Sequence, residues 1–284
     1  VSDGSERFDT HFDLAVSYIE GGSAYYVHDH VSAAKKAAFI HVDYVQAGYT
    51  RRLDKDCYVD FDRIFAVSNE TAGVFAGVYP ECQQKLSVFH NLIDTEAIRQ
   101  KALSPAEKSM HEGIRLLTVG RLTPQKGFDC AVYALKLLLE KQYPVYWYII
   151  GEGSEYGRLT QLARSLHVED HFIFLGMQTN PYPYFKMADF YIHATRFEGK
   201  SIAIQEAQVL GCAIAASDCS GNREQIVSGV DGLLCPFSPE GIANAVEYLI
   251  EHPQTAESFG REAAQKACHF ENDIHMIRDL LYSP

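Results

Sequence analysis

Long apolar runs are missing from this sequence. Nothing approaches the roughly 18 consecutive apolar residues of a membrane-spanning helix, and no signal peptide stands out. Attachment to a membrane face stays open. Basic residues are also in short supply, 25 Lys and Arg against 37 Asp and Glu, for a net charge of −12. That balance argues against general nucleic-acid binding, although a local pocket for a small anion survives it. The seven cysteines (57, 82, 130, 212, 219, 235 and 268) make an odd total and contain no CxxC pair. Neither a disulfide framework nor a cysteine zinc site is expected, which fits a reducing cytoplasm. The twelve histidines carry no HExxH signature, so no metal site is expected.

What the chain does have is alternation. DLAVSYI, AAFIHVDY, RIFAVSNET and KLSVFHNLID read as strands, with Ser68 or Asn69 placed to cap a helix from Glu70 to Val78 and another helix from Thr95. A polar stretch with proline and glycine, ALSPAEKSMHEGI, reads as a linker. A second series follows: strand 114–120, helix 127–142, strand PVYWYIIG, helix 154–166, strand HFIFLG, a short helix near Tyr184 and strand ADFYIHAT. REQIVSG is expected as a helix, DGLLC as a strand, and PEGIANAVEYLIEH and TAESFGREAAQKACHF as helices. Strands alternating with helices make parallel α/β layers. We expect domains at 1–106 and 113–268, with a terminal helix at 269–284.

Residues 196–218, RFEGKSIAIQEAQVLGCAIAASD, are the centre of the argument. A short buried helix from Ser201 to Leu210 is expected to stop at Gly211, before the strand CAIAAS. Glu198, Gly199, Lys200 and Ser201 then lie in a strand-to-helix turn at the C-terminal edge of a sheet, where open α/β sheets bind ligands. A helix N-terminus offers backbone N–H groups and partial positive charge to a phosphate. Glu206, further along the helix, is suited to accept hydrogen bonds from a ribose diol.

Glu198 and Glu206, with seven residues between them, resemble the E-x7-E motif of retaining glycosyltransferases of family 4. Two acids eight apart are common on solvated helices, but the words EGKSIAIQEA and REQIVSGVDGLLC resemble those of bacterial enzymes building capsule, exopolysaccharide or lipopolysaccharide. The resemblance implies the GT-B fold, two Rossmann-like parallel-sheet domains facing a cleft. The first domain is expected to be truncated, because relatives carry further βαβ units upstream.

A second motif, VGRLTPQKGFD, presents Arg121 and Lys126 after a strand. A forked guanidinium plus a point-charge ammonium suits a diphosphate leaving group. The motif resembles the family's GRLxxxKG, which implies that role for both residues. IIGEGSEYGRL misses the dinucleotide fingerprint because Tyr156 holds its last glycine position. The resemblance implies that Gly151 leaves room for the sugar nucleotide and that FLGMQ, with Met177, meets the nucleobase. FIHVDY resembles the family's WIHTD-like segment, implying that His41 faces the transferred sugar. His28, His30 and His90 are structural or acceptor-side candidates, and Gly21 and Gly22 are expected to edge an acceptor cleft.

The implied activity is metal-independent transfer, with retention, from a UDP- or GDP-linked sugar to a saccharide or lipid-linked acceptor. Glu198 and His41 are the catalytic candidates. Arg121, Lys126, Gly151, Met177, Gly199, Lys200, Ser201, Ile202 and Glu206 are the nucleotide-sugar candidates. Lys200 and Ser201 depart from the Phe-Gly common in the family. Rival readings are an epimerase of UDP-linked sugars, which would act without acceptor, and a non-catalytic nucleotide-sugar-binding fragment.

Overall fold

The computed structural model describes residues 8–267 and 273–282. These divide into two compact units: residues 8–92 with 198–200 and 273–282, and residues 93–197 with 201–267.

The first unit runs β1 (His11–Ser17), α1 (Gly22–His30), β2 (Ser32–Ile40), α2 (Arg51–Asp54), β3 (Arg63–Ala66), α3 (Asn69–Val78) and β4 (Leu86–Val88). Its four strands are parallel, in the order β1-β2-β3-β4. Ser68 caps α3, its hydroxyl accepting the Thr71 N–H at 3.1 Å. Under one face lies an aromatic cluster built on the buried Tyr44, Tyr58, Phe61, Phe75 and Tyr79. At its centre the Asp54 carboxylate accepts hydrogen bonds from the hydroxyls of Tyr25, Tyr44 and Tyr79. Burial raises the Asp54 carboxyl above its usual range, and the bonds from Tyr25 and Tyr79 pull it back.

The second unit runs α4 (Thr95–Lys101), β5 (Ile114–Val119), α5 (Phe128–Glu140), β6 (Val145–Ile150), α6 (Tyr156–Ser165), β7 (Phe172–Gly176), α7 (Tyr182–Met187), β8 (Phe190–His193), α8 (Ile202–Val209), β9 (Ala213–Ser217), α9 (Ser220–Arg223), β10 (Leu233–Cys235), α10 (Pro239–Glu251) and α11 (Pro253–Ala267). Its six parallel strands lie in the order β10-β9-β8-β5-β6-β7. Every residue of β9 is buried, as expected of a parallel strand covered on both faces. Phe128, Ala131, Val132, Leu135 and Leu138 form the buried stripe of α5, at the spacing of one helix face. Winding starts at β5 and moves outward in both directions, so the strand order reverses between β5 and β8.

The last helix, α12 (Ile274–Tyr282), belongs to the first unit. Leu280, Met276 and Ile277 pack on Phe39, Phe65 and Phe89, and Asp273 accepts from the His90 main-chain N–H and ring at 2.7 and 2.8 Å. Part of the expected 269–284 segment, and Cys268, lie outside the described residues.

Three local expectations are corrected. The helix placed at REQIVSG lies earlier, at Ser220–Arg223, because the Asn222 amide turns back to donate to the Ser217 carbonyl at 2.8 Å. The IEGGSAYY turn contains a helix from Gly22, entered through Gly21 at φ 74°. The polar stretch before β5 packs on the second unit, its Lys108 and His111 N–H groups donating to the buried Tyr184 and Tyr148 hydroxyls at 3.0 and 2.6 Å. The main-chain polar groups of this stretch find buried partners, which composition alone cannot show.

Candidate functional site

The reversal of strand order between β5 and β8 puts the loops after these strands side by side at the C-terminal edge of the second sheet. That is the ligand position of an open α/β sheet. The two loops are laced by hydrogen bonds. Arg196 N–H donates to the Gln125 carbonyl at 2.9 Å, the Gln125 amide donates to the Phe197 carbonyl at 3.0 Å, and Thr195 Oγ1 donates to the Gln125 carbonyl at 3.1 Å. The Arg196 guanidinium adds bonds to the Pro124 carbonyl at 2.6 Å and to Asp129 at 2.8 Å. The segment carrying Arg121 and Lys126 and the segment leading to α8 therefore form one braced rim.

Glycines let the rim close. The loop after β6 runs against the loop after β5, with Gly120 N–H donating to Ile150 and Leu122 N–H to Glu152, at 2.9 and 2.8 Å. A Cβ on Gly151 would stand 2.0 Å from the Gly120 carbonyl oxygen, and one on Gly153 would stand 2.3 Å from that of Leu122. Arg121 is exposed and Lys126 half-buried. Beside Gly151 a hollow of about 520 Å³ is lined by Glu152, Gly153, Tyr156, Phe174, Leu175 and Gly176. Met177 follows it, 72 % exposed.

Helix α8 begins at the same rim. Ser201 is buried and its side chain makes no capping hydrogen bond, while Ile202 is exposed. Glu206 lies one turn in, half-buried, and accepts the Tyr182 hydroxyl at 3.0 Å. Burial raises its carboxyl above the ordinary 4.5, and the Tyr182 bond opposes the rise. Burial and the facing Glu206 together push the Tyr182 hydroxyl up to about 12.

His41, Glu198, Gly199 and Lys200 belong to the first unit. His41 follows the end of β2; its main-chain N–H donates to the buried Glu20 carboxylate at 2.9 Å. Its ring packs on Tyr18 and Phe39, at 5.0 and 5.9 Å between centroids, and its Nε2 is buried without a hydrogen-bond partner. Burial lowers its pKa below 6.5, with the Glu20 carboxylate pulling the other way. Glu198 is buried. Gly199 lies on the His41 carbonyl so closely that a Cβ would reach 2.1 Å from it, and Asn91 donates to the Lys200 carbonyl at 3.3 Å.

Of the other histidines, His28 is bonded to Asp29 and Asp60, and His30 is buried against Tyr26. One pair has a four-residue spacing, His167 and His171. It spans the turn after α6, where His167 takes φ 56° and the His171 ring bonds to the Val145 carbonyl, so the two do not share a helix face.

Tyr182 and Gln225 in the second unit, and Glu20 beside His41 in the first, carry no sequence signal strong enough to single them out. Glu20 sits beside a paired glycine, which is the only hint for it. Gln225 lies just beyond α9, in the segment whose pattern predicts a helix.

The pattern of the family described as "Glycosyl transferases group 1" matches residues 99–266, more than half of the chain. The chain is 30 % identical over 200 residues to the N-acetylgalactosamine-N,N'-diacetylbacillosaminyl-diphospho-undecaprenol 4-alpha-N-acetylgalactosaminyltransferase of Campylobacter jejuni, covering 70 % of this chain and 53 % of that protein. It is 24 % identical over 173 residues to a lipopolysaccharide core biosynthesis glycosyltransferase of Rhizobium meliloti, covering 59 % and 48 %. The chain thus spans about half the length of the curated relatives it matches. Among solved structures it resembles Anabaena HepE in complex with UDP, with a TM-score of 0.73 at 19 % identity over 88 % of this chain and 72 % of that one. It also resembles the sucrose-phosphate synthase of Thermosynechococcus elongatus, with a TM-score of 0.77 at 17 % identity over 95 % and 74 %. At these identities the likeness is one of fold, two parallel-sheet α/β domains of the GT-B kind.

Proposed function

The chain belongs to the group 1 glycosyl transferases, and from that premise we propose that it transfers a sugar from a nucleoside-diphosphate sugar to a saccharide or lipid-linked acceptor in the synthesis of a bacterial surface polysaccharide. The observation that carries this reading is the braced rim, which brings the Arg121–Lys126 loop and the start of α8 to the reversal of strand order. Two cations and a helix N-terminus suit a diphosphate. As the glycosidic bond breaks, negative charge grows on the leaving phosphate, and preformed donors there stabilise it without reorganisation.

In this reading Arg121 and Lys126 hold the diphosphate and need no metal. The N–H groups at the start of α8 add to them, Glu206 accepts from the ribose, and the hollow near Gly151 and Met177 receives the base. Glu198 and His41 serve the sugar, His41 as a neutral imidazole because burial lowers its pKa. Transfer with retention on one face of the sugar follows from the family resemblance, the leaving phosphate taking the acceptor's proton. The UDP in the Anabaena HepE structure makes a UDP-linked donor the first to try. Work at the cytoplasmic face of the inner membrane fits a lipid-linked acceptor such as the one named for the Campylobacter relative; among the described residues no helix is long and apolar enough to cross a membrane.

Thermal unfolding of the chain with UDP, GDP, ADP and CDP, each with and without magnesium, tests the reading. A ligand that binds only the folded state raises the melting temperature. The expected result is a magnesium-independent rise with one diphosphate, lost in Arg121→Ala and in Lys126→Ala. Absence of any rise in a cooperatively melting protein would sink it.

A further inference from the structure

Among the described residues, four serine or threonine residues stand directly before α-helices, and one behaves differently. Thr50, Ser68 and Ser238 have φ/ψ of −148/153°, −153/160° and −148/159°, and each side chain accepts a first-turn N–H. Ser201, before α8, has φ/ψ of −76/118° and caps nothing. A serine in that place ordinarily prefers to cap, so something holds it out of the capping geometry.

That holder is Gln225. Its side-chain amide lies against the Ser201 main chain: assigned the orientation that satisfies both partners, in place of the one that donates to the Gly221 carbonyl at 3.3 Å, it accepts the Ser201 N–H at 2.8 Å and donates to the Ser201 carbonyl at 2.9 Å. Gln225 is itself fixed. Its main-chain carbonyl accepts from the Gln208 amide and from Lys266 Nζ, both at 2.7 Å. Lys266 also pairs with the buried Asp231 at 2.7 Å, whose other oxygen accepts the Val227 N–H at 2.7 Å. Gln225, Gln208 and Asp231 are all buried. The clamp therefore runs from α11 through the loop before β10 to the first residue of the turn that opens α8.

We propose that Gln225 is a positioning residue for the donor's diphosphate: by gripping Ser201 through its main chain, it stops the Ser201 hydroxyl from capping α8 and so leaves the first-turn N–H groups to the phosphate. This rests on the donor-diphosphate reading above. It also narrows that reading, because the Ser201 N–H is already taken by Gln225. The N–H groups offered to an anion start at Ile202.

The test is a set of titrations of wild type, Gln225→Ala and Gln225→Glu with the diphosphate that the wild type binds and, separately, with its parent nucleoside. In Gln225→Ala the diphosphate affinity falls about tenfold, as for loss of a charge-assisted hydrogen bond, while nucleoside affinity stays within about twofold. Gln225→Glu keeps the shape and the acceptor for Ser201 N–H but loses the donor to the carbonyl, so it falls in the same direction and guards against misfolding of the alanine variant. Replacing Ser201 by Ala in the Gln225→Ala background removes the competing hydroxyl and recovers diphosphate affinity. Equal losses for nucleoside and diphosphate, unchanged diphosphate affinity, or no recovery in the double variant would each overturn the proposal. A wild type that binds no nucleoside diphosphate instead overturns the functional reading on which it rests.

Discussion

Gly151 and Gly120 meet at the ends of β6 and β5 so closely that a Cβ on Gly151 would lie 2.0 Å from the Gly120 carbonyl oxygen. Gly151 also takes φ 140°, a backbone conformation that L side chains rarely adopt. Gly151→Ala is therefore expected to destabilise the second unit by about 1–3 kcal/mol and to lower the melting temperature. Gly157 in the first turn of α6 has open space around its Cα. Gly157→Ala should leave the melting temperature unchanged or raise it, since alanine is the better helix former by up to ~1 kcal/mol. Equal effects of the two substitutions would mean the close approach of the loops carries no energy.

Glu206 supplies a pH signature. Burial raises its carboxyl in the folded chain above the ordinary 4.5. Folding then favours the protonated form, so its stability term is fully present below pH 4.5 and is lost as pH rises through the raised folded value. Glu206→Gln removes that loss. Its melting temperature, compared with wild type, should gain as pH is raised from 4 to 8 in the absence of ligand. Nucleoside binding should weaken in the same variant, if the carboxylate accepts from the ribose. A stability difference that is flat with pH would contradict the burial of the charge.

His41 separates packing from chemistry. Its ring stacks on Phe39 and touches Tyr18, while Nε2 is buried with no hydrogen-bond partner. His41→Phe keeps an aromatic ring of similar shape and discards the nitrogen, so stability should change by less than about 1.5 kcal/mol. Sugar transfer should fall by about 100-fold or more if the imidazole serves the reaction, within the range for a positioned acid–base or hydrogen-bonding group. Full activity in the phenylalanine variant would return His41 to a structural role.

Asp54 is the strongest stability prediction of the first unit. Its buried carboxylate holds the hydroxyls of Tyr25, Tyr44 and Tyr79. Asp54→Ala leaves three tyrosine hydroxyls without their acceptor, and the loss is expected to reach about 3–5 kcal/mol. Denaturant unfolding followed by tyrosine fluorescence reads it directly. A loss below about 1 kcal/mol would show that water replaces the carboxylate at little cost.

The elements of the second unit were legible because their signals are local. The short apolar run of residues 212–216, following Gly211, reads as a strand buried on both faces, and the stripe on 128–138 reads as a helix lying on a sheet. The motif segments stood out because glycine, arginine, lysine and glutamate at fixed spacing suit turns and anion binding, and the proposed roles of Arg121, Lys126 and Glu206 start from them. Where the reading failed, the deciding interaction came from elsewhere in the chain. The helix expected at 223–229 gave way to one at Ser220–Arg223 because the Asn222 amide reaches back to Ser217. The polar stretch 102–114 has the composition of a free linker, yet buried tyrosine hydroxyls of the second unit hold it.

The sequence by itself therefore determined the parallel α/β architecture and the group 1 glycosyl transferase family. It did so through periodicity and short motifs, which act over a few residues. Only the tertiary structure decided which loops stand together at the reversal of strand order, that a buried carboxylate gathers three tyrosines, and that Gln225 holds Ser201 out of its capping geometry. Each of those depends on partners far apart in the chain, and a hydrogen bond between distant residues leaves no mark on the spacing of either one.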